Sequence, residues 1–337
     1  MANQPALISS IDPQTDPVGY LGFIRHPDGS IIRQQVVEPT TSISSYENNP
    51  RLLVKDIPVN QSKGTFVRIF LPKQAIDQTS DHVGKKLPLI IFMHGGGYVI
   101  MNVNTPNFDE FYDTFTVGIP AVIVSMEYRR GPEHRLPAAY EDGIETLQWI
   151  KNYLPREEWF SKNADFGNAF LMGNSAGSNL AYFLSLRASS LASELHPLKI
   201  KGAILHQPFI GGTKRTESEL RNLNDKILPP CVTDIMWELA LPVGEDRDHE
   251  FCNPALSIKS GQFDRIKALG WKILVTGYEN DVMHDRQVEL VKMMEENGVN
   301  IVAKYEEGGY HGYEASDPAR MKSLCEVVKE FVKIHSN

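Results

Sequence analysis

Apolar residues along this chain fall into two rhythms. From Leu87 onward, short unbroken apolar runs alternate with stretches in which apolar positions recur every three or four residues. Leu89–Met93 and Ala121–Ser125 are runs of the first kind, as expected of parallel strands covered on both faces. Ala169–Met172, Ile200–Leu205, Lys272–Thr276 and Ile301–Tyr305 read as further strands. Asn107–Val117 predicts a short crossover helix. Pro137–Leu154 predicts a longer one, with Pro137 suited to the first helical position and Tyr140, Ile144, Leu147 and Ile150 on one stripe. Asn179–Leu186, Arg286–Glu296 and Pro318–Ile334 complete the helical set. Strands alternating with helices predict an α/β protein built on a doubly wound, mostly parallel sheet.

Two regions stand outside that alternation. Residues 1 to about 50 are rich in Pro, Ser, Thr and Asn, with one predicted hairpin over Arg25–Arg33 turning at Asp28-Gly29. Thr65–Leu71 alternates as a half-buried strand does, and Lys73–Lys86 reads as a polar loop. Residues 209–263 contain Pro229-Pro230, Trp237 and many charges, and no strand pattern. The expectation is a single domain, 1–337, in which about 1–45 and 209–263 form a lid over the C-terminal strand ends. Such a lid makes Ile235, Met236 and Leu239 candidate substrate-binding residues.

Composition narrows the function classes. The chain has 337 residues, 42% of them hydrophobic and 23% charged, with a formal net charge of −8, which argues against polyanionic partners. No apolar run approaches the roughly 18 residues of a membrane span. The first residues lack the basic start and apolar core of a secretory signal. The three cysteines are odd in number and widely spaced, which suits a reducing compartment. These features predict a cytoplasmic protein acting on a small molecule, with no nucleic acid or membrane partner and no prediction of oligomeric state. No cysteine cluster, H-E-x-x-H or strand-following G-x-G-x-x-G is present, so no metal or organic cofactor is expected.

The candidate chemistry lies at strand ends. Gly173-Asn174-Ser175-Ala176-Gly177 follows a predicted strand and opens a predicted helix, the setting a G-x-S-x-G nucleophile turn needs. His94-Gly95-Gly96-Gly97 follows another strand, where bare backbone N–H groups can approach a substrate oxygen closely. Serine, acid and histidine are expected in that chain order. The loop after Lys272–Thr276 offers Asp281, Asp285 and, more weakly, Glu279. Of the two aspartates Asp281 lies nearer the strand end, which leaves Asp285 to cap the next helix or brace the loop. His311 stands in a Gly-rich loop after the last strand.

These motifs, with Tyr128-Arg-Arg-Gly-Pro-Glu-His134, resemble plant carboxylesterases of the hormone-sensitive-lipase-like branch of α/β-hydrolases, relatives of the gibberellin receptors. The resemblance runs from about Gly19 to the C-terminus. It implies an α/β-hydrolase fold and a Ser175–His311–Asp281 triad. It also implies an oxyanion hole from the N–H groups of Gly96, Gly97 and Ala176, with His94, Gly95 and Asn174 as supporting motif positions. The implied activity is serine carboxylesterase action on small plant metabolites. Two alternatives stay open: a dedicated specialised-metabolism enzyme, such as one cleaving a methyl ester with decarboxylation or a cyclase, and a catalytically silent receptor. The family pattern is broken at Arg130, Gly131, Asn174 and Ser178, which are expected to reshape the pocket.

Overall fold

The computed structural model describes residues 11–34, 43–76 and 86–336. Helix α1 (Pro17–Tyr20) leads into the hairpin β1 (Phe23–Arg25) and β2 (Ile31–Arg33), which turns at the expected Asp28-Gly29. An eight-stranded sheet follows from β3 (Leu52–Asn60), β4 (Thr65–Pro72), β5 (Leu87–Met93), β6 (Val122–Met126), β7 (Ala164–Asn174), β8 (Ile200–His206), β9 (Lys272–Tyr278) and β10 (Asn300–Glu306). Its spatial order is β10-β9-β8-β7-β5-β6-β4-β3. Pairing is parallel from β10 to β6, and β4 runs antiparallel to both β6 and β3. Helices α2 (Asp109–Gly118), α3 (Ala138–Tyr153), α4 (Glu158–Asn163) and α5 (Ala176–Ser190) belong to the first crossovers. Helices α6 (Glu217–Arg221), α7 (Pro230–Ala240) and α8 (Asp264–Ala268) lie between β8 and β9, and α9 (His284–Glu296) and α10 (Pro318–His335) complete the chain.

Continuous apolar runs make sense once the two layers are assigned. Successive side chains of a strand point to opposite faces. Leu89, Ile91 and Met93 of β5 join Leu147 and Ile150 of α3 and Leu180 and Leu184 of α5 in one core. Ile90 and Phe92 join Phe111 and Phe115 of α2 and Val328 and Phe331 of α10 in the other. The same split divides β7, where Leu171 faces the first layer and Phe170 the second.

One strand was not expected. β3 mixes Lys55, Asp56 and Pro58 among its apolar residues, so it carries no clean period. Among the described residues it is the outermost strand and pairs only with β4, and an edge position tolerates a proline that cannot donate to a ladder. Of the expected N-terminal cover, residues 1–10 and 35–42 lie outside the described residues, as do 77–85 of the expected polar loop. No described helix is long and apolar enough to cross a membrane.

Topology decides where the chemistry collects. β5 sits between β6 and β7, so the chain leaves β5 to one side and later returns to the other. Crevices of open parallel sheets form at the carboxyl ends of strands around such a reversal. The loops after β5 and β7 are neighbours there.

Asn179 in α5 ties this region to residues 209–251. Its Oδ1 accepts from the hydroxyls of Tyr98 (2.7 Å) and Tyr140 (2.8 Å). Its Nδ2 donates to the carbonyls of Phe209 (3.0 Å) and Phe251 (2.9 Å). Asn179→Leu removes a partner from two tyrosine hydroxyls and two carbonyls, and a buried polar group left unpaired costs about 1–3 kcal/mol. The expected result is a loss of at least about 3 kcal/mol in denaturant unfolding. A change under about 1 kcal/mol would mean the groups find other partners.

Candidate active site

The turn after β7 is bent sharply. Ser175 adopts φ 53° and ψ −120°, a backbone conformation that costs about 1–3 kcal/mol and persists only where its surroundings hold it. Here the Ser175 N–H donates to His206 O (2.9 Å), and Ser175 O accepts from Phe209 N (3.0 Å) and Ser178 N (3.0 Å). The Ser178 hydroxyl lies between the carbonyls of Gly173 (2.5 Å) and His206 (2.7 Å). Gly177 allows the helix to approach β5: a Cβ there would stand 1.9 Å from Met93 O.

Around Ser175 the other candidates converge. His311 Nε2 lies 2.8 Å from Ser175 Oγ, and His311 Nδ1 lies 2.9 Å from Asp281 Oδ2. With Nδ1–H donating to the carboxylate, Nε2 is left to accept from the serine hydroxyl. Asp281 is fully buried, just before the N-terminus of α9, where the helix dipole favours an anion. Its Oδ1 accepts from Met283 N–H (2.9 Å). Its Oδ2 also accepts from Gln207 Nε2 (2.8 Å) and Gln287 Nε2 (2.9 Å).

Those bonds set the electrostatics. Burial pushes the Asp281 carboxyl up, but the His311 charge and the hydrogen bonds outweigh it and hold the group below its ordinary value. Burial pushes His311 down, but the charge and hydrogen bond of Asp281, with the charges of Glu314 and Asp225, outweigh it and raise the imidazole above its ordinary value.

Glu279 is exposed, on the solvent side of the loop. Asp285 makes no hydrogen bond or ion pair to His311 among the described residues, and of its two expected roles, capping the next helix or bracing the loop, the first does not hold. Helix α9 begins at His284 with Met283 at the cap position, so Asp285 already lies in the first turn. Its carboxylate instead accepts from Ser218 N–H (2.7 Å) in the first turn of α6.

The H-G-G-G loop lies against the serine. Gly95 packs on Asn174 and Ser175, where an added Cβ would stand 3.2 Å from Ser175 Cβ. Gly96 has φ 107° and faces Ile100 O so closely that a side chain has no room. Among the described residues, no acceptor takes the N–H of Gly96 or Gly97. Ala176 heads α5, where the first N–H groups have no intrahelical partner. His94 is fully buried, its ring stacked on Tyr128 at 4.2 Å and its Nδ1 2.8 Å from Gly95 O. Burial lowers its pKa to about 3, so His94 shapes the loop as a neutral ring. Tyr128 OH donates to His94 O (2.8 Å).

A cleft beside Ser175 is lined by the three glycines, Asn174, His311 and apolar side chains from both layers and from residues 209–263. Met236 lines it, with Tyr20, Leu21, Ile227 and Leu228. Ile235 and Leu239 do not. The buried side of α7 is broad, and of its residues only Met236 looks into the cleft, whereas Leu239 is buried in the core and Ile235 packs against it. Of the four departures from the family pattern, only Asn174 reaches the cleft wall. Arg130 bonds Met101 O, and Gly131 leaves room for the Leu239 carbonyl. Among the described residues no three His, Cys, Asp or Glu side chains are grouped to hold a metal ion.

Motif reasoning missed Gln207. It is buried with φ 48° directly after β8, and it spans the site. Nε2 donates to Asp281 Oδ2 and Tyr310 O (3.2 Å), while Oε1 accepts from Gly312 N–H (2.9 Å). It therefore grips the backbone on either side of His311. Its one sequence signal was its place at the end of a parallel strand.

A family model described as alpha/beta hydrolase fold matches residues 90–315. Carboxylesterase 20 of Arabidopsis thaliana is 44% identical over 327 residues, 96% of this chain and 99% of its own. The 3-O-acetylpapaveroxine carboxylesterase CXE2 of Papaver somniferum is 38% identical over 322 residues, 94% of this chain and 99% of its own. A thermostable esterase from Pseudomonas putida has a similar fold, with a TM-score of 0.68 at 22% identity, over 88% of this chain and 87% of its own.

Two predictions follow from the geometry. A base must be neutral to accept a proton, so kcat/KM falls as pH drops through the raised His311 pKa, placing the acid limb above about 6.5. In Asp281→Asn the largest raising partner is gone, leaving Glu314 and Asp225 against burial, so the limb moves to lower pH while kcat drops by orders of magnitude. A limb that stays put would show that another group titrates. Separately, Gln207→Leu frees the His311 loop and should lower kcat about 10- to 100-fold with little change in KM. Unchanged kcat in steady-state assays would reduce Gln207 to a packing residue.

Proposed function

As the chain belongs to the alpha/beta hydrolase fold family, in its plant carboxylesterase branch, we propose that Ser175, His311 and Asp281 are the catalytic triad of its carboxylic ester hydrolysis. One observation carries this reading: the unbroken line from Ser175 Oγ through the imidazole to the buried Asp281 carboxylate, at 2.8 and 2.9 Å.

The reaction follows from the geometry. His311 Nε2 takes the hydroxyl proton as Ser175 Oγ attacks the ester carbonyl carbon. Asp281 keeps the imidazole oriented and stabilises its charged form. The free N–H groups of Gly96, Gly97 and Ala176 receive the oxyanion, and one such donor is worth about 3 kcal/mol of barrier. Collapse of the tetrahedral intermediate expels the alcohol, which takes the proton from His311. Water, activated by the same base, then releases the acid from the acyl-enzyme.

Residues 209–263, together with the N-terminal segment, act as the lid. Supporting this, Tyr20 OH donates to Ile227 O (2.8 Å), Arg25 pairs with Glu238 (2.9 Å), and both segments contribute to the cleft wall. The lid side chains select the ester, while the triad sets only the reaction. The substrate is a small-molecule ester, and the cytoplasm is its place of action.

Ser175→Ala tests the assignment. Turnover of p-nitrophenyl acetate should fall to background while circular dichroism stays that of the parent. A folded variant with parental activity would overturn it.

A further inference from the structure

The loop after β5 carries backbone strain beyond its glycines. Gly96, Gly97, Tyr98 and Met101 have φ of 107°, 59°, 65° and 63°. Tyr98 and Met101 bear large side chains in the left-handed region, a conformation that persists only where the surroundings hold it. Part of that hold is internal: Gly96 O accepts from Val99 N–H and Ile100 N–H, both at 2.9 Å. The rest comes from outside. Gly131 N–H donates to Tyr98 O (2.9 Å), and Arg130 donates to Met101 O. The Val99 carbonyl accepts from Arg33 Nη1 (2.7 Å), at the end of the N-terminal hairpin.

Arg33 is itself well held. Its Nη2 donates to Gly131 O (2.7 Å), so one guanidinium spans the loop and the segment that braces it. Nε and Nη2 pair with the Glu133 carboxylate (3.0 and 2.9 Å), and the guanidinium carbon lies 4.9 Å from the centre of the Phe23 ring.

A trans peptide group sets its C=O and N–H on opposite sides. Val99 O and Ile100 N–H belong to one such group, and Gly96 O and Gly97 N–H to another. Hydrogen bonds therefore run in one direction, from Arg33 to Val99 O and from Ile100 N–H to Gly96 O. At the far end is the N–H of Gly97, a residue that lines the cleft. Bonds in such a chain polarise one another, and a cation at its head strengthens the last donor.

We propose that Arg33 is a positioning residue for the ester hydrolysis: acting through the Val99–Ile100 and Gly96–Gly97 peptide groups, it orients and polarises the Gly97 N–H that receives the oxyanion. The proposal rests on the oxyanion-hole reading above. It gives the N-terminal hairpin a part in the chemical step as well as in covering the cleft.

The test compares 4-nitrophenyl acetate with its thionoester, in which sulfur replaces the carbonyl oxygen. Sulfur is a weak hydrogen-bond acceptor, so an oxyanion hole favours the oxygen ester. The readout is the ratio of the two kcat/KM values, divided by the same ratio for hydroxide in solution. Loss of folded protein scales both substrates alike and cancels. The parent ratio should stand well above one, and in Arg33→Met it should fall about 10-fold. Arg33→Lys keeps the charge but cannot fork onto two carbonyls, and should fall about 3-fold. Glu133→Gln leaves both carbonyl contacts in place and should stay within about 2-fold of the parent. A parental ratio in Arg33→Met, or an equal fall in Glu133→Gln, overturns the proposal. If Arg33→Met does not fold, Arg33→Lys decides alone, and a parental ratio there overturns it. Failure of the underlying reading looks different: the parent ratio itself would then be near one, or Ser175→Ala would still turn over both esters.

Discussion

A carboxylate with no exposed surface governs this protein's architecture. Burying an ionised group costs several kcal/mol unless hydrogen bonds replace its water. Asp281 receives four, from Met283 N–H, Gln207, Gln287 and His311. The donors come from the loop after β8, the start of α9 and the loop after β10. Three neighbouring strand ends must therefore be in register before the charge is satisfied. The imidazole is one of the four donors, so the same requirement that makes the charge tolerable aims His311 at Ser175.

The serine side is held by a different device. Strain at Ser175 is sustained by backbone bonds to His206 and Phe209. Close packing of Gly177 on Met93 O brings β5 and its H-G-G-G loop alongside. Tyr128 and neutral His94 then fix that loop from behind. The two halves meet across the carboxyl ends of β5, β7, β8 and β9, and the sheet order alone accounts for that meeting.

Much of this was legible in the sequence because it depends on local pattern. Apolar runs marked the central strands, and strand-end position singled out Ser175, Asp281 and His311. What was not legible is long-range. Gln207 and Asp281 lie 74 residues apart, and nothing in either segment announces their bond. Asp285 could not be told from a helix cap because its partner, Ser218, lies 67 residues earlier. Strand β3 was hidden by its charges and proline, which only an edge position tolerates. On α7 Met236 and Leu239 both lie on the broad buried side, so periodicity could not say that Met236 faces the cleft while Leu239 faces the core.

The central claim is that Ser175 becomes acylated through His311 and Asp281. Its most direct measurement is an acid quench during turnover of a slowly deacylated ester, followed by peptide mass spectrometry. The account predicts one acyl group, found on the peptide holding Ser175 and localised to that residue, and absent when His311 is replaced by alanine. An acyl group on another residue, or steady turnover with no acylated peptide at any quench time, would contradict it.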